Sequence, residues 1–270
     1  MLYDSIGFIG TGNMGSAIAS AAARSGQAKE VLLADYDPAK AAALAQTLPG
    51  ARPSTNEEIA RTCQLIVLGV KPQMMAGMLS PLTEILRARA DRYVLVTMAA
   101  GLSCARIREL AGVSCPVIRL MPNTPCALGA GVVLYCGLDA EQSDLDSFAA
   151  LMAPAGLVDP LDEKLIDAAS AISGCGPAYV YLFLEALADG GVACGLPRDK
   201  ALAYAAQTVE GAARMVLESG KHPGALKDAV CSPAGSTIQG VRALEANGFR
   251  SAALEAVIAA YDKTLELGKK

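Results

Sequence analysis

Over the first part of the chain, short apolar runs alternate with alanine-rich or amphipathic segments of helix length. Glycine, proline, asparagine or aspartate bounds the apolar runs, a pattern typical of buried strands. Strands that alternate with helices imply crossover connections and a mostly parallel, doubly wound sheet. The pattern predicts strands within 5–9, 31–34, 65–70, 93–97, 117–120, 132–135 and 156–158, and helices at 14–25, 39–47, 56–61, 73–88 and 141–152.

From about residue 161 the strand pattern stops, and helices are predicted at 178–194, 198–218, 223–230, 237–246 and 250–266. The first of these is apolar on nearly every side, so it must be buried all round. A small helical domain offers too little cover for it, and we expect a second copy of the chain to pack there. The expected architecture is α/β, with a dinucleotide-binding domain over 1–160 and an all-helical dimerisation domain over 161–270.

The first strand leads into a glycine-rich turn, Gly10-Thr11-Gly12-Asn13-Met14-Gly15, which opens the first helix. In a Rossmann-type unit with Gly-x-Gly-x-x-Gly, the first glycine makes the turn, the second admits a pyrophosphate and the third lets helix and strand pack closely. The pyrophosphate then lies on the positive end of the helix. The spacing alone is a weak signal, and its position between a strand and a helix strengthens it.

Asp35 ends the second strand, 20 residues after Gly15, where an acidic side chain would hydrogen-bond an adenosine ribose. Tyr36 and Asp37 follow and supply no cation for a 2′-phosphate, which favours NADH over NADPH. The alternative is that Asp35 and Asp37 are turn residues that cap the helix after Pro38.

Other candidates follow the ends of neighbouring strands, the edge at which doubly wound sheets bind ligands. They are Lys71-Pro72, Ala100 and Asn123. Each of them, taken alone, could be an ordinary turn residue with no role in binding. In the helical half, Ser236 and Thr237 stand at the start of a helix, whose free N–H groups would make a seat for a carboxylate. The alternative there is a plain Ser/Thr cap.

Composition narrows the classes of function. The 270 residues are 53% hydrophobic and carry a net charge of −4, which argues against a nucleic-acid or anionic-membrane surface. With no basic leader, and no apolar run near the roughly 18–20 residues of a membrane span, a cytoplasmic protein is expected. None of the eight cysteines forms a Cys-x-x-Cys pair and His222 is the single histidine, so neither a metal site nor a histidine-dependent hydrolase is expected.

Over essentially its whole length the chain resembles the pyrroline-5-carboxylate reductase family. The glycine turn is common to many families, whereas the later segments are specific to this one. The segments that carry the resemblance are Gly10–Gly15, Val70-Lys71-Pro72-Gln73, Met121-Pro122-Asn123-Thr124-Pro125, Ser173-Gly174-Cys175-Gly176-Pro177-Ala178-Tyr179, Gly195-Leu196-Pro197-Arg198, His222-Pro223 and Leu226-Lys227-Asp228-Ala229-Val230-Cys231-Ser232-Pro233.

The resemblance implies hydride transfer from NADPH or NADH to the C=N bond of 1-pyrroline-5-carboxylate, giving L-proline in the last step of proline biosynthesis. It also implies a homodimer, or a larger oligomer of dimers, with an active site shared between two subunits. Thr237 would hydrogen-bond the ring nitrogen, Ser236 and the amides from Gly235 onward would hold the carboxylate, and Glu163 would lie nearby. With Asp35 and Asn123 included, the nucleotide-binding set is Gly10, Thr11, Gly12, Asn13, Met14, Gly15, Asp35, Asn56, Val70, Lys71, Pro72, Ala100 and Asn123.

Two positions depart from the family pattern. The family commonly has Ser-Pro-Gly-Gly where this chain has Ser232-Pro233-Ala234-Gly235, and Ala234 would be tolerated with a negative φ. Many relatives carry Asn-Arg or serine-rich residues after the second strand and prefer NADPH, and Asp35-Tyr36 puts that preference in doubt here.

Two other functions fit parts of the pattern. A β-hydroxyacid dehydrogenase also joins a glycine-loop domain to a helical one, but the helix after Gly176 has no lysine between Pro177 and Arg198 to serve that chemistry. A non-catalytic nucleotide-binding scaffold would use the apolar helices and would have no need of the loop at Gly235-Ser236-Thr237.

Overall fold

The computed structural model describes residues 2–268, which form two compact units. The sheet unit comprises 2–175 and 260–268, and the helical unit comprises 176–259. The strands are β1 (Tyr3–Ile9), β2 (Ala28–Ala34), β3 (Ala51–Pro53), β4 (Leu65–Leu68), β5 (Val94–Thr97), β6 (Val117–Pro122), β7 (Gly131–Leu138) and β8 (Gly156–Pro160). The helices are α1 (Asn13–Arg24), α2 (Pro38–Ala45), α3 (Asn56–Thr62), α4 (Met75–Leu79), α5 (Thr83–Arg87), α6 (Cys104–Ala111), α7 (Gln142–Met152), α8 (Glu163–Ser173), α9 (Gly176–Ala193), α10 (Arg198–Ser219), α11 (Pro223–Ala229), α12 (Ser236–Ala246) and α13 (Phe249–Gly268).

The sheet confirms the expected α/β class. Its strand order is β3-β2-β1-β4-β5-β6-β7-β8, and the first six strands in this order run parallel to one another. β7 turns antiparallel to β6, and β8 is parallel to β7. The chain order reverses between β1 and its neighbours β2 and β4, which creates a crevice at the carboxyl end of β1.

Both faces of the sheet are buried because helices cover each side. Adjacent strand residues point to opposite faces, so Phe8 packs with Ile18 of α1 while Ile9 packs with Ile59 of α3. All four of these side chains are at most 2% exposed. The near-continuous apolar sequences of β4, β5 and β6 follow from this burial on both faces, whereas the edge strands β3 and β8 are partly exposed.

The prediction of one continuous helix over 73–88 was wrong. The structure has a 3-10 turn at Pro72–Met74, then α4, a second 3-10 turn at Ser80–Leu82, and α5. Pro81 accounts for the break, since it has no N–H to donate and its ring clashes with the preceding turn.

The short helix α8 packs in the sheet unit, where Ile166 is buried against Met121 and Leu134. The predicted domain boundary at 160/161 precedes this helix, whereas the compact units divide after Cys175. The boundary therefore stays a prediction.

The helical unit leaves its apolar side chains largely exposed within the single chain. Ala188 is buried on α9, and Ala201 and Ala205 are buried on α10, whereas α11, α12 and α13 have no fully buried residue among those described. Leu182 is 70% exposed.

One stretch, Glu163–Ala193, reaches the length and apolar composition of a membrane-crossing helix, with a mean hydropathy of 1.3 in its most apolar window. This corrects the expectation that no run approaches that length. A single such stretch is weak evidence of a membrane span, because a helix that packs against a partner subunit has the same composition.

Candidate nucleotide and substrate site

The glycine turn has the geometry that a dinucleotide requires. Gly10 has φ +101°, in the region that favours glycine, and a Cβ there would lie 2.7 Å from the carbonyl carbon of Gly69. A Cβ on Gly15 would lie 2.1 Å from the carbonyl oxygen of Gly10, so only glycine allows α1 to pack this closely. A Cβ on Gly12 would meet nothing within 4 Å. Gly10 and Gly15 are thus packed tightly against protein atoms, whereas Gly12 faces open space.

The turn lies at the crevice beside β1, in line with the ends of the neighbouring strands. In the sheet register Ile9 pairs with Ala34 of β2 and with Leu68 of β4, and Leu68 pairs with Thr97 of β5. The predicted residues that follow these strands therefore share one edge of the sheet. They are Gly10, Asp35, Val70, Lys71, Pro72 and Ala100.

Asp35 holds the glycine turn from the side. Its Oδ2 accepts hydrogen bonds from the Thr11 backbone N–H, at 2.6 Å, and from the Thr11 hydroxyl, at 2.9 Å. Its Oδ1 accepts from the Asp37 backbone N–H at 3.1 Å. Burial raises the pKa of Asp35, but these hydrogen bonds and nearby Lys40 outweigh it, and the net pKa is lowered. A fixed negative charge therefore stands at the end of β2.

The capping role proposed as an alternative falls to Asp37 and not to Asp35. Asp37 is the N-cap of α2, and its Oδ1 accepts from the Ala39 backbone N–H at 3.1 Å. The ribose contact of Asp35 stays a prediction. Its carboxylate has the position and the charge for that contact, although two of its acceptor sites already serve Thr11.

Asn123 has internal partners for its side chain. It is 7% exposed, its Nδ2 donates to the Ser173 carbonyl at 2.9 Å, and its Oδ1 accepts from the Val132 N–H at 2.9 Å. These bonds tie β6 to β7 and to the end of α8. The structure gives Asn123 this bracing role, and its predicted nucleotide contact stays a prediction.

The remaining nucleotide candidates lie on the surface or close to it. Lys71, Pro72 and Ala100 are exposed, and Val70 and Asn56 are partly exposed. Asn56 opens α3, whose N-cap is Thr55. All five residues belong to the sheet unit, and a ligand could reach each of them from solvent.

Sequence reasoning missed two kinds of residue at this site. Gly69 is required because a Cβ there would lie 2.5 Å from the carbonyl oxygen of Gly10, and its place at the end of an apolar run was the available signal. A cavity of about 550 Å³ adjoins the turn and adds residues of α1, of α2 and of the 3-10 turn Thr124–Leu128. Its lining residues are Thr11, Gly12, Asn13, Ser16, Ala17, Ser20, Lys40, Thr124 and Ala127.

In the helical unit, the predicted substrate loop ends at the N-terminus of α12. Gly235 is the N-cap with φ −71° and ψ 167°, and its N–H donates to the Ser232 carbonyl at 3.0 Å. Ser236 and Thr237 are exposed, and none of the hydrogen bonds found within 2–268 uses their hydroxyl groups. The first N–H groups of a helix also lack helical partners. The loop therefore offers hydroxyl and amide donors to solvent.

Ala234 differs from the expectation of a negative φ. Its φ is +59°, in the left-handed region that strongly favours glycine. The loop thus keeps the backbone shape that suits the family's glycine, at a cost in strain.

The Glu163 side chain makes its contacts within the sheet unit. Its Oε1 accepts from the backbone N–H of Cys104 at 2.7 Å and lies 3.8 Å from the guanidinium of Arg119. His222 serves as the N-cap of α11, with Nδ1 accepting from the Gly224 N–H at 3.1 Å. The predicted substrate contact of Glu163 stays a prediction.

Comparison with known proteins covers both units. The family model described as pyrroline-5-carboxylate reductase dimerisation matches residues 163–267, and that described as NADP oxidoreductase coenzyme F420-dependent matches residues 5–101. The chain is 43% identical to the pyrroline-5-carboxylate reductase of Pisum sativum, over 97% of this chain and 95% of that protein.

Two further relatives are also pyrroline carboxylate reductases. The pyrroline-5-carboxylate reductase of Escherichia coli (strain K12) is 39% identical over 98% of both chains. The crystal structure of Plasmodium falciparum pyrroline carboxylate reductase, which has NADP bound, superposes with a TM-score of 0.86 at 34% identity and covers 99% of each chain. With this identity sustained along the whole length, the chain belongs to the pyrroline-5-carboxylate reductase family.

Proposed function

We propose that the protein is an NAD(P)H-dependent oxidoreductase that reduces the C=N bond of 1-pyrroline-5-carboxylate to L-proline, the final step of proline biosynthesis. The observation that carries the proposal is identity of about 40% to reductases of this name across nearly the entire chain. The glycine turn in the crevice beside β1 supports the nucleotide-dependent half of the reaction.

The residues present fit a dinucleotide. The open space at Gly12 would accept a pyrophosphate, and the first N–H groups of α1 would bind its oxygens. We assign further nucleotide contacts to Asp35, Asn56, Val70-Lys71-Pro72, Ala100 and Asn123. The domain 1–160 would carry this role, and 161–270 would dimerise and hold substrate.

We assign the substrate to the loop before α12. The N–H groups from Gly235 onward and the Ser236 hydroxyl would hold the carboxylate, since a helix N-terminus favours an anion. The Thr237 hydroxyl would hydrogen-bond the ring nitrogen and relay its proton, and Glu163 would contribute to the substrate site. The free hydroxyl groups of Ser236 and Thr237 support this assignment.

The reaction requires few catalytic groups from the protein. Reduced nicotinamide, when bound, supplies the hydride to the imine carbon. A protonated cyclic imine is already electrophilic, so the chain has mainly to orient the substrate and tolerate its charge. A threonine hydroxyl and backbone amides suffice for that task, and the single histidine is used as a helix cap.

For the nucleotide, we propose a preference for NADH. A 2′-phosphate would approach the Asp35 carboxylate, whose hydrogen bonds to Thr11 hold it charged. Lys40, on the wall of the adjoining cavity, is the nearby cation that would reduce this preference.

We further propose a homodimer, or a larger oligomer of dimers, in the cytoplasm, with no nucleic-acid or membrane partner. The exposed apolar side chains of α9 and the dimerisation family model support the homo-oligomer. That explanation also covers the α9 part of the apolar stretch Glu163–Ala193, because a partner subunit would bury its exposed side chains in place of lipid.

The test is turnover by the purified protein with 1-pyrroline-5-carboxylate and either NADH or NADPH, with proline measured beside nucleotide oxidation. We expect one proline per nucleotide oxidised and a higher kcat/KM with NADH. Absence of oxidation with both nucleotides would contradict the reductase and favour a binding scaffold. A marked NADPH preference would contradict the role of Asp35 and leave the reaction intact.

A further inference from the structure

Two cysteines in the sheet unit lie side by side beneath α6. Cys104 is the first residue of α6 and is 1% exposed, whereas Cys136 lies on β7 and is partly exposed. Their sulfur atoms are 3.9 Å apart, and the Cys104 backbone N–H is fixed by Glu163. The two thiols are therefore in contact, and one of them belongs to a partly exposed residue.

A buried cation stands beside this pair. Arg119 pairs with Cys136 across β6 and β7, so their side chains share one face of the sheet. The Arg119 side chain is 3% exposed, makes an ion pair with Asp167, and leaves its Nε without a partner among the described residues. A buried donor without a partner is costly, and it favours negative charge nearby.

The two thiols differ in acidity because of these neighbours. A hydrogen bond between the two thiols lowers the pKa of Cys136 and raises that of Cys104. Burial and the Glu163 carboxylate oppose the shift at Cys136 and Arg119 favours it, and the net pKa of Cys136 is lowered. The sulfur atoms and the Glu163 carboxylate lie within 4.8 Å of one another, a spacing that a metal ion could also bridge. Arg119, 3.8 Å from that carboxylate, already supplies a positive charge there.

We propose that Cys104 and Cys136 form a peroxide-sensitive modification site, with Cys136 as the reacting thiol and Cys104 as the resolving thiol. A thiolate on a partly exposed residue, beside a second thiol that can resolve its oxidised form, is the arrangement of redox-sensor cysteines. Closing the 3.9 Å gap to the roughly 2.05 Å of a disulfide needs a shift of the two side chains.

The reaction balances with one hydroperoxide. The Cys136 thiolate attacks an oxygen of hydrogen peroxide, so an S–O bond forms, the O–O bond breaks and one water is released after protonation. The Cys104 sulfur then attacks the Cys136 sulfur, the S–S bond replaces the S–O bond, and the hydroxyl leaves as water with the Cys104 proton. Two thiols are oxidised and one peroxide is reduced to two waters.

The test is peptide mapping of the full-length protein after treatment with hydrogen peroxide and alkylation of the remaining thiols. We expect a linked peptide that joins Cys104 to Cys136, forms before exposed Cys194 is fully oxidised, and disappears on treatment with dithiothreitol. Oxidation of Cys194 without any linked peptide would overturn the proposal.

Two variants sharpen this result. In Cys104→Ser the sulfenic acid on Cys136 has no resolving thiol, so labelling of Cys136 by dimedone should rise about tenfold over the wild type. Equal labelling in both proteins would contradict the pairing. Cys115→Ser is the matched control, since Cys115 is buried and its pKa is raised by burial to about 11, and it should leave the linked peptide unchanged. If Cys104→Ser does not fold, the wild-type map decides alone.

Discussion

The sheet unit and the helical unit differ in how far a single chain buries their apolar residues. In the sheet unit, helices on both faces bury side chains such as Phe8, Ile59 and Phe148 completely. In the helical unit, α9 is apolar yet leaves Leu182 70% and Tyr181 59% exposed in the single chain. One unit completes its core alone, and the other requires a second copy of the chain.

The largest expected effect comes from placing a charge on the exposed face of α9. In Leu182→Asp a buried, unpaired carboxylate would oppose association, so we expect monomers and turnover lower by at least about 100-fold. Light scattering coupled to size exclusion, together with the reductase assay, measures both. The matched control is Leu157→Asp on β8, where the leucine is 60% exposed in the sheet unit. A dimeric Leu182→Asp protein would contradict the assigned interface.

The next effect separates the reaction from nucleotide binding. Thr237→Ala removes the hydroxyl assigned to the ring nitrogen and should lower kcat about 100-fold with little change in the KM for nucleotide. Thr237→Ser keeps a hydroxyl and should recover most of the activity. A rise in the nucleotide KM with kcat unchanged would contradict the role of the loop.

A smaller effect tests the charge at the end of β2. Asp35→Asn keeps an acceptor for the Thr11 N–H but removes the charge, so the ratio of kcat/KM for NADPH to that for NADH should rise about tenfold, or roughly 1.4 kcal/mol. Asp37→Asn is the control, because asparagine also caps a helix and Asp37 serves α2. A ratio unchanged in Asp35→Asn would show that Asp35 does not select the nucleotide.

The smallest effect concerns backbone strain in the helical unit. Ala234 has φ +59°, so Ala234→Gly should raise the free energy of unfolding by about 1 kcal/mol. Ala225→Gly lies within α11, where glycine should lower it by roughly the same amount. Chemical denaturation of both variants measures the difference, and equal signs would contradict the left-handed assignment.

The sequence predicted much of the fold because its signals are local. Apolar runs between turn residues located all the main strands, and Gly10, Gly12 and Gly15 located the turn. The helix α6 was missed although Ser103 caps it and Gly112 ends it, since its charged sequence interrupts the apolar pattern. The short β3 and the antiparallel direction of β7 depend on pairing with distant strands, which periodicity does not encode.

The site was less predictable than the fold because its contacts are distant in sequence. Asp35 binds Thr11, 24 residues away, and Asn123 binds Ser173, 50 residues away. Arg119 appeared as one charge within an apolar strand, and its partners on α8 could not be inferred from that position. Spacing identifies which residues are unusual, whereas the fold determines what they contact.

The most direct test of the difference between the two units is the nucleotide affinity of Leu182→Asp. If the sheet unit is complete in one chain, the monomer should bind NADH with a Kd within about twofold of the wild type while turnover is lost. Fluorescence titration of the two proteins gives both values. Nucleotide binding lost together with turnover, or full turnover by the monomer, would contradict the account.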